Sequence, residues 1–198
     1  MRAKRLLIII SLIVLLIYIP GCSKLENVTD SSSKLIVITV TGVDLLGNEG
    51  STTIFSDVLT SSGSIFNDTG TATLTATVLD PAQTTSTFYQ DIIVDQIDVE
   101  YTRSDIPDAR EGVDVPFSFS QRVYARVGIG ETVDLPFVLV QHVAKLESPL
   151  VELLSMGQEK VLKMEARCTL YGKDVAGFRI EPVVATISVW FANFADEN

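Results

Sequence analysis

The residues able to do chemistry are few and scattered. His142 is the one histidine, placed beside Gln141 where an apolar run ends, and it reads as a strand-end or surface residue. No serine sits in a Gly-x-Ser-x-Gly turn, and the chain contains no paired histidines, no Cys-x-x-Cys and no phosphate-cradling glycine loop. With 25 acidic residues some carboxylate pair always lies at a glycosidase-like distance, but no set of catalytic roles can be assigned, so no enzyme is expected. Asp105, Asp108, Glu111 and Asp114 crowd one loop and Asn67-Asp68 another. Calcium takes six to eight oxygens from such loops, yet the spacing matches no EF-hand. A solvated acidic loop is the leading reading and calcium the alternative. Trp190, among Thr186 and Ser188, and the loop aromatics Phe66, Phe88 and Tyr89 could stack a sugar or anchor a partner; the competing role for Trp190 is cover by a loop or edge strand.

Cysteine usage fits this sparse chemistry. In Leu162-Lys-Met-Glu-Ala-Arg-Cys168-Thr-Leu170 apolar and polar residues alternate, which predicts a half-buried strand with Cys168 on its apolar face. A thiol there is an inert core residue, since a nucleophile needs a base and some exposure. The other cysteine, Cys22, lies at the end of an N-terminal pattern of a different kind. Arg2, Lys4 and Arg5 precede an apolar run from Leu6 to Ile19 broken by Ser11 alone. Basic start, short apolar core and small residues at its end are the parts of a secretory signal. The run is shorter than the roughly 20 residues needed to cross the hydrocarbon layer as a helix.

Ile19-Pro20-Gly21-Cys22 resembles the lipobox of bacterial lipoproteins. The resemblance implies cleavage before Cys22, diacylglycerol on its thiol, and a mature protein held to a membrane by that lipid. With Ser23 rather than Asp after the cysteine, it also implies the outer membrane of a Gram-negative cell, facing the periplasm or the surface. Residues 1–21 are thus the expected signal peptide. Residues 22–34, serine-rich and without period, are the expected tether, with a root-mean-square span of about 20 Å.

Residues 35–198 are expected to form a single domain. The formal net charge is −10, and loss of the three basic residues of the signal makes the remainder more acidic still, which argues against nucleic acid as a partner. Strands are predicted over 35–40, buried on both faces or opening the domain, and over 71–78, where threonines face out and Ala72, Leu74, Ala76 and Val78 face in. Others follow over 92–103, 113–119, 122–127, 132–140, 161–171 and 178–194, with short strands suggested near Thr53–Phe55 and Ser64–Phe66. Pro116 and Pro136, in the echoed runs Val113-Asp-Val-Pro-Phe117 and Val133-Asp-Leu-Pro-Phe137, mark edge strands. One short helix is predicted, capped by Ser148, with Pro149 first, a stripe of Leu150, Leu153 and Leu154, and Gly157 as its stop.

Seven to nine strands and no long helix predict an all-β, antiparallel sandwich; a lipocalin-like barrel is the alternative. From Val113 onward, strand length and rhythm resemble immunoglobulin-like and fibronectin type III domains, without the cysteine–tryptophan–cysteine pattern of antibody domains. Leu170-Tyr-Gly-Lys-Asp-Val-Ala-Gly177 with Asn193-Phe-Ala-Asp196 is similar to uncharacterised bacterial lipoproteins, a likeness that implies no activity. The expectation is therefore a non-catalytic envelope lipoprotein without cofactor, acting through contact with another envelope protein as an accessory or assembly component. A ligand-binding module for carbohydrate or calcium is the alternative.

Overall fold

The computed structural model describes residues 30–43, 48–60, 62–156 and 160–194. The chain divides after Asp30, and residues 31–198 make one compact unit. The expected signal peptide, Cys22 and most of the tether lie outside the described residues, as does Gly157.

This unit is a β-sandwich. Its strands are β1 (Ser33–Val43), β2 (Glu49–Ser51), β3 (Thr53–Asp57), β4 (Asp68–Val78), β5 (Ile92–Thr102), β6 (Phe119–Val127), β7 (Thr132–Val140), β8 (Leu162–Asp174) and β9 (Val183–Ala192). One sheet has the order β2-β1-β4-β7 and the other β3-β9-β8-β5-β6. The alternation in β4 sets its register: Ala72, Leu74 and Ala76 are buried, while the intervening threonines line the outer face. Ile97, Val99 and Tyr101 of β5, Ala166, Cys168 and Leu170 of β8, and Ile187, Val189 and Phe191 of β9 meet them from the other sheet. The Tyr101 hydroxyl donates to the Leu139 carbonyl, 2.6 Å, joining the two sheets through the core.

With β1, β4 and β7 in one sheet facing β9, β8, β5 and β6 in the other, the chain crosses between sheets after β2, β3, β4, β6 and β7. This is the immunoglobulin-like arrangement. Between these strands pairing is antiparallel with one exception: after β2 the chain passes to the second sheet, where β3 runs parallel to β9. The antiparallel sandwich expected from sequence thus forms, with one parallel pair at this edge.

Other expectations change for local reasons. Ser33 already pairs with Val78, and the Ser31 amide donates to Arg179, so the last residues expected in the tether belong to the sandwich. β1 buries Leu35 and Val40 but exposes Ile36 and Ile38, because its outer face has no covering layer. No strand forms over 64–66: Thr60 and Ser64 bond each other through both backbone and hydroxyl, supplying the partners that a ladder would have. Nor does one form over 113–118. The amides of Val113, Asp114 and Val115 turn back to Arg110, Gly112 has φ +72°, and Pro116 has no donor. The predicted helix shrinks to one turn, Leu153–Met156, preceded by turns in which the amides of Leu153 and Leu154 bond three residues back. Pro136 lies on β7, an edge strand as expected, whereas Pro116 lies before β6.

Candidate functional site

The ladders on both sides of β5 slip at one place. Val94 pairs with Gly172 and Ala125, Gln96 with Tyr171 and Arg122, and Asp95 is left over between them. Such a bulge bends the sheet and redirects side chains. β8 accommodates the bend only because residue 172 is glycine: a Cβ there would run into the Ile93 carbonyl oxygen. Beyond it the chain turns at Gly177, whose amide donates to Asp174, and Arg179 returns beside Lys173. The bend and this turn leave a cleft of about 640 Å³, lined chiefly by Asp95, Gln96, Arg122, Tyr171, Lys173 and Arg179. That volume lies within the range of small-molecule sites.

Charge distinguishes the cleft from the rest of an acidic chain. Outside the cleft every described arginine is matched with a carboxylate, Arg103 with Asp105, Arg110 with Asp114, Arg126 with Asp91 and Arg167 with Glu100, as is the buried Lys145 with Asp68. Among the described residues, the side chains of Arg122, Lys173 and Arg179 form no ion pair and no hydrogen bond, and Asp95 is the one carboxylate lining the cleft with them. Its polar wall is fixed from behind. Gln96 Nε2 donates to Asp98 Oδ1, 2.8 Å. Burial pushes the Asp98 carboxyl up, but hydrogen bonds from Ser120, Gln96 and Tyr171 reverse this and hold it below the ordinary carboxylate value. Burial and the Asp98 charge raise the Tyr171 phenol, which stays protonated as a donor. Three unneutralised cations and a fixed amide suit an anion.

Aromatic side chains continue the site along β6. Arg122, Tyr124 and Arg126 alternate on its solvent face, and Tyr124 is 72 % exposed. The Arg126 guanidinium lies 4.2 Å over the Phe88 ring, and its Nε donates to Asp91 Oδ2, 2.9 Å. Phe88 meets Tyr89 edge to face at 5.9 Å. The short turn bearing both rings is tied to the cleft's rim by the amides of Val175 and Ala176, which donate to Asp91 and Tyr89.

Of the residues singled out from sequence, only Phe88 and Tyr89 come to this region. Cys168 is buried in the core, its thiol pushed up to about 12 by burial. His142 is exposed, its backbone amide donating to Asn67 Oδ1, 2.6 Å. Asp105 and Asp114 are bound by Arg103 and Arg110, and Glu111 accepts from the Ser118 amide. Asp68 faces inward to Lys145. Among the described residues no three His, Cys, Asp or Glu side chains come together as metal ligands. Trp190 is covered: Phe55 of β3 packs edge to face at 5.4 Å and Lys163 Nζ lies 4.0 Å over the ring. Phe66 is exposed in its loop. Arg122, Lys173 and Arg179 escape sequence reading because they are far apart in the chain and meet only through strand register and a bulge. No protein-family model matches the chain, and no curated protein is similar to it.

Proposed function

We propose that the protein is a non-catalytic component of the cell envelope, held to a membrane by lipid on Cys22, which works by binding another envelope component through the cleft between β6 and the β8–β9 turn. The anchor rests on the lipobox resemblance of residues 19–22, which with Ser23 favours the outer membrane of a Gram-negative cell. Lipid in place of a spanning helix suits such a role, because two or more chains hold stably and leave the domain outside the bilayer. The observation that carries the binding reading is the convergence of Arg122, Lys173 and Arg179, without carboxylate partners, in an otherwise acidic chain. Leaving cations unneutralised on a protein of net charge −10 prepares one face for a partner of negative charge.

Two measurements test this. Cys22→Ser should abolish incorporation of labelled fatty acid and partitioning into detergent; equal labelling of the variant rejects the anchor. A photocrosslinking residue at position 124 should give a defined adduct in native cells, lost when Arg122 and Lys173 are both changed to alanine. An adduct that survives those changes rejects the cleft as the contact.

A further inference from the structure

We infer that the group bound in the cleft is an acidic saccharide, a sugar ring bearing a carboxylate, and that the β6 face beside the cleft takes the next rings of the chain. This rests on the binding reading above and names its ligand. Two features of the same surface have to be satisfied together. The first is the set of unpaired cations. A guanidinium offers a planar fork of donors that matches a carboxylate bidentately, and both Arg122 and Arg179 are free to do so, with Lys173 beside Arg179 as a point charge.

The second is the aromatic row. Tyr124 stands 72 % exposed between Arg122 and Arg126 on the open face of β6, and Phe88, 54 % exposed, lies against Arg126. A bare inorganic anion would use the cations and leave these rings without a role. An extended acidic peptide would add to the free edge of β6 through its main chain. Here, however, the cations and rings stand on the face of the sheet, where flat ligands stack. A sugar acid presents both requirements in one unit: a carboxylate for the fork and an apolar ring face for an aromatic platform. The cleft's roughly 640 Å³ holds a short stretch of such a chain, and the row along β6 carries it onward without a closed end.

The test uses the full-length protein in detergent micelles, with calorimetric titration of four probes: tetragalacturonate, neutral maltotetraose, tetraglutamate peptide and inorganic phosphate. Tetragalacturonate should bind and maltotetraose should not. Arg122→Ala and Tyr124→Ala should each weaken tetragalacturonate about tenfold, the worth of one charged hydrogen bond or one stacked ring. Circular dichroism should stay unchanged, since both side chains are exposed. If tetraglutamate or phosphate binds as tightly and Tyr124→Ala changes nothing, the saccharide is rejected while an anion-binding cleft stands. Equal binding of maltotetraose likewise rejects the acidic ligand. If no probe binds, the saccharide is rejected, and the crosslinking at position 124 decides whether the cleft binds an envelope component at all.

Discussion

Two acids in the core, the Cys168 thiol and the Tyr101 phenol, are held protonated by burial. The thiol moves from an ordinary 9.0 up to about 12, with burial as the cause. The phenol rises well above its ordinary 10.0, again first by burial and then by the charges of Asp68 and Cys168. Because both values are raised in the fold, the folded chain keeps protons that the unfolded chain releases. Their stabilising share is complete below the unfolded values and is lost as pH climbs through them. The urea midpoint should thus be flat near neutral pH and fall from about pH 9 upward. Tyr101→Phe should soften that fall, at a loss near neutrality of about 1 kcal/mol for the bond to Leu139. A thiol reagent at neutral pH should label Cys168 only as fast as the domain opens; rapid labelling of the folded protein overturns this. Residues of this kind are legible in sequence, because strict alternation around Cys168 fixes its face without any knowledge of the partner sheet. Arg122, Lys173 and Arg179 are illegible for the converse reason: each alone is an ordinary surface cation, and only the slip at Asp95 brings them to one cleft.

At the scale of elements, one buried ion pair closes the end of the sandwich. Lys145, in a 3-10 turn after β7, is 1 % exposed, and its amine donates to Asp68 Oδ1 at 3.0 Å and to the Asp57 carbonyl at 2.9 Å. Ser56 donates to the other oxygen of Asp68. The end of β3, the start of β4 and the segment after β7 are thereby tied at one amine. Burial raises the Asp68 carboxyl, with the Lys145 charge and the hydrogen bonds from Ser56 and Lys145 opposing it. Removing one partner of such a pair leaves the other charged and dry. Lys145→Ala should therefore cost about 3–5 kcal/mol in urea unfolding, while the double change Lys145→Met with Asp68→Leu should recover most of it. A double variant no more stable than the single would show that the amine's bond to Asp57, rather than the pair, holds the end. Elements written by alternation, β4, β5, β8 and β9, are readable from the order of residues alone. Segments 64–66 and 113–118 are not, because local turns and hydroxyl bonds satisfy their backbone in place of a ladder, and a lone apolar run cannot reveal that choice.

For the whole molecule the question is what the sandwich requires in order to fold. Its described core is continuous through both sheets and contains no cysteine pair, so packing across the layers has to supply the stability. Sequence alone sets the domain's start near Leu35, but Ser31 and Ser33 are buried, Ser33 and Lys34 extend the β1–β4 ladder, and the Ser31 amide ties to Arg179. A chain beginning at Ser31 should fold without lipid or metal and give a β-dominated circular dichroism spectrum; one beginning at Leu35 should fold less stably, through the lost pairs with Thr77 and Val78. Within the Ser31 chain, β4 provides the sharper contrast. Leu74 is fully buried and pairs with Val37 and Val133 on its two sides, so Leu74→Asp places an unpaired charge between the sheets. That penalty is several kcal/mol against a total stability of about 5–15, and the variant should unfold. The outward control cannot be Thr73, because its hydroxyl donates to Asp134 at 2.8 Å and a second carboxylate there would be repelled. Thr77 is exposed and lies opposite Lys34, where a carboxylate gains an opposite charge, so Thr77→Asp should leave the melting temperature within a few degrees of the parent. Equal melting of the two variants would mean that β4 does not present these faces, and the sheet-to-sheet packing built on its register would fail with it.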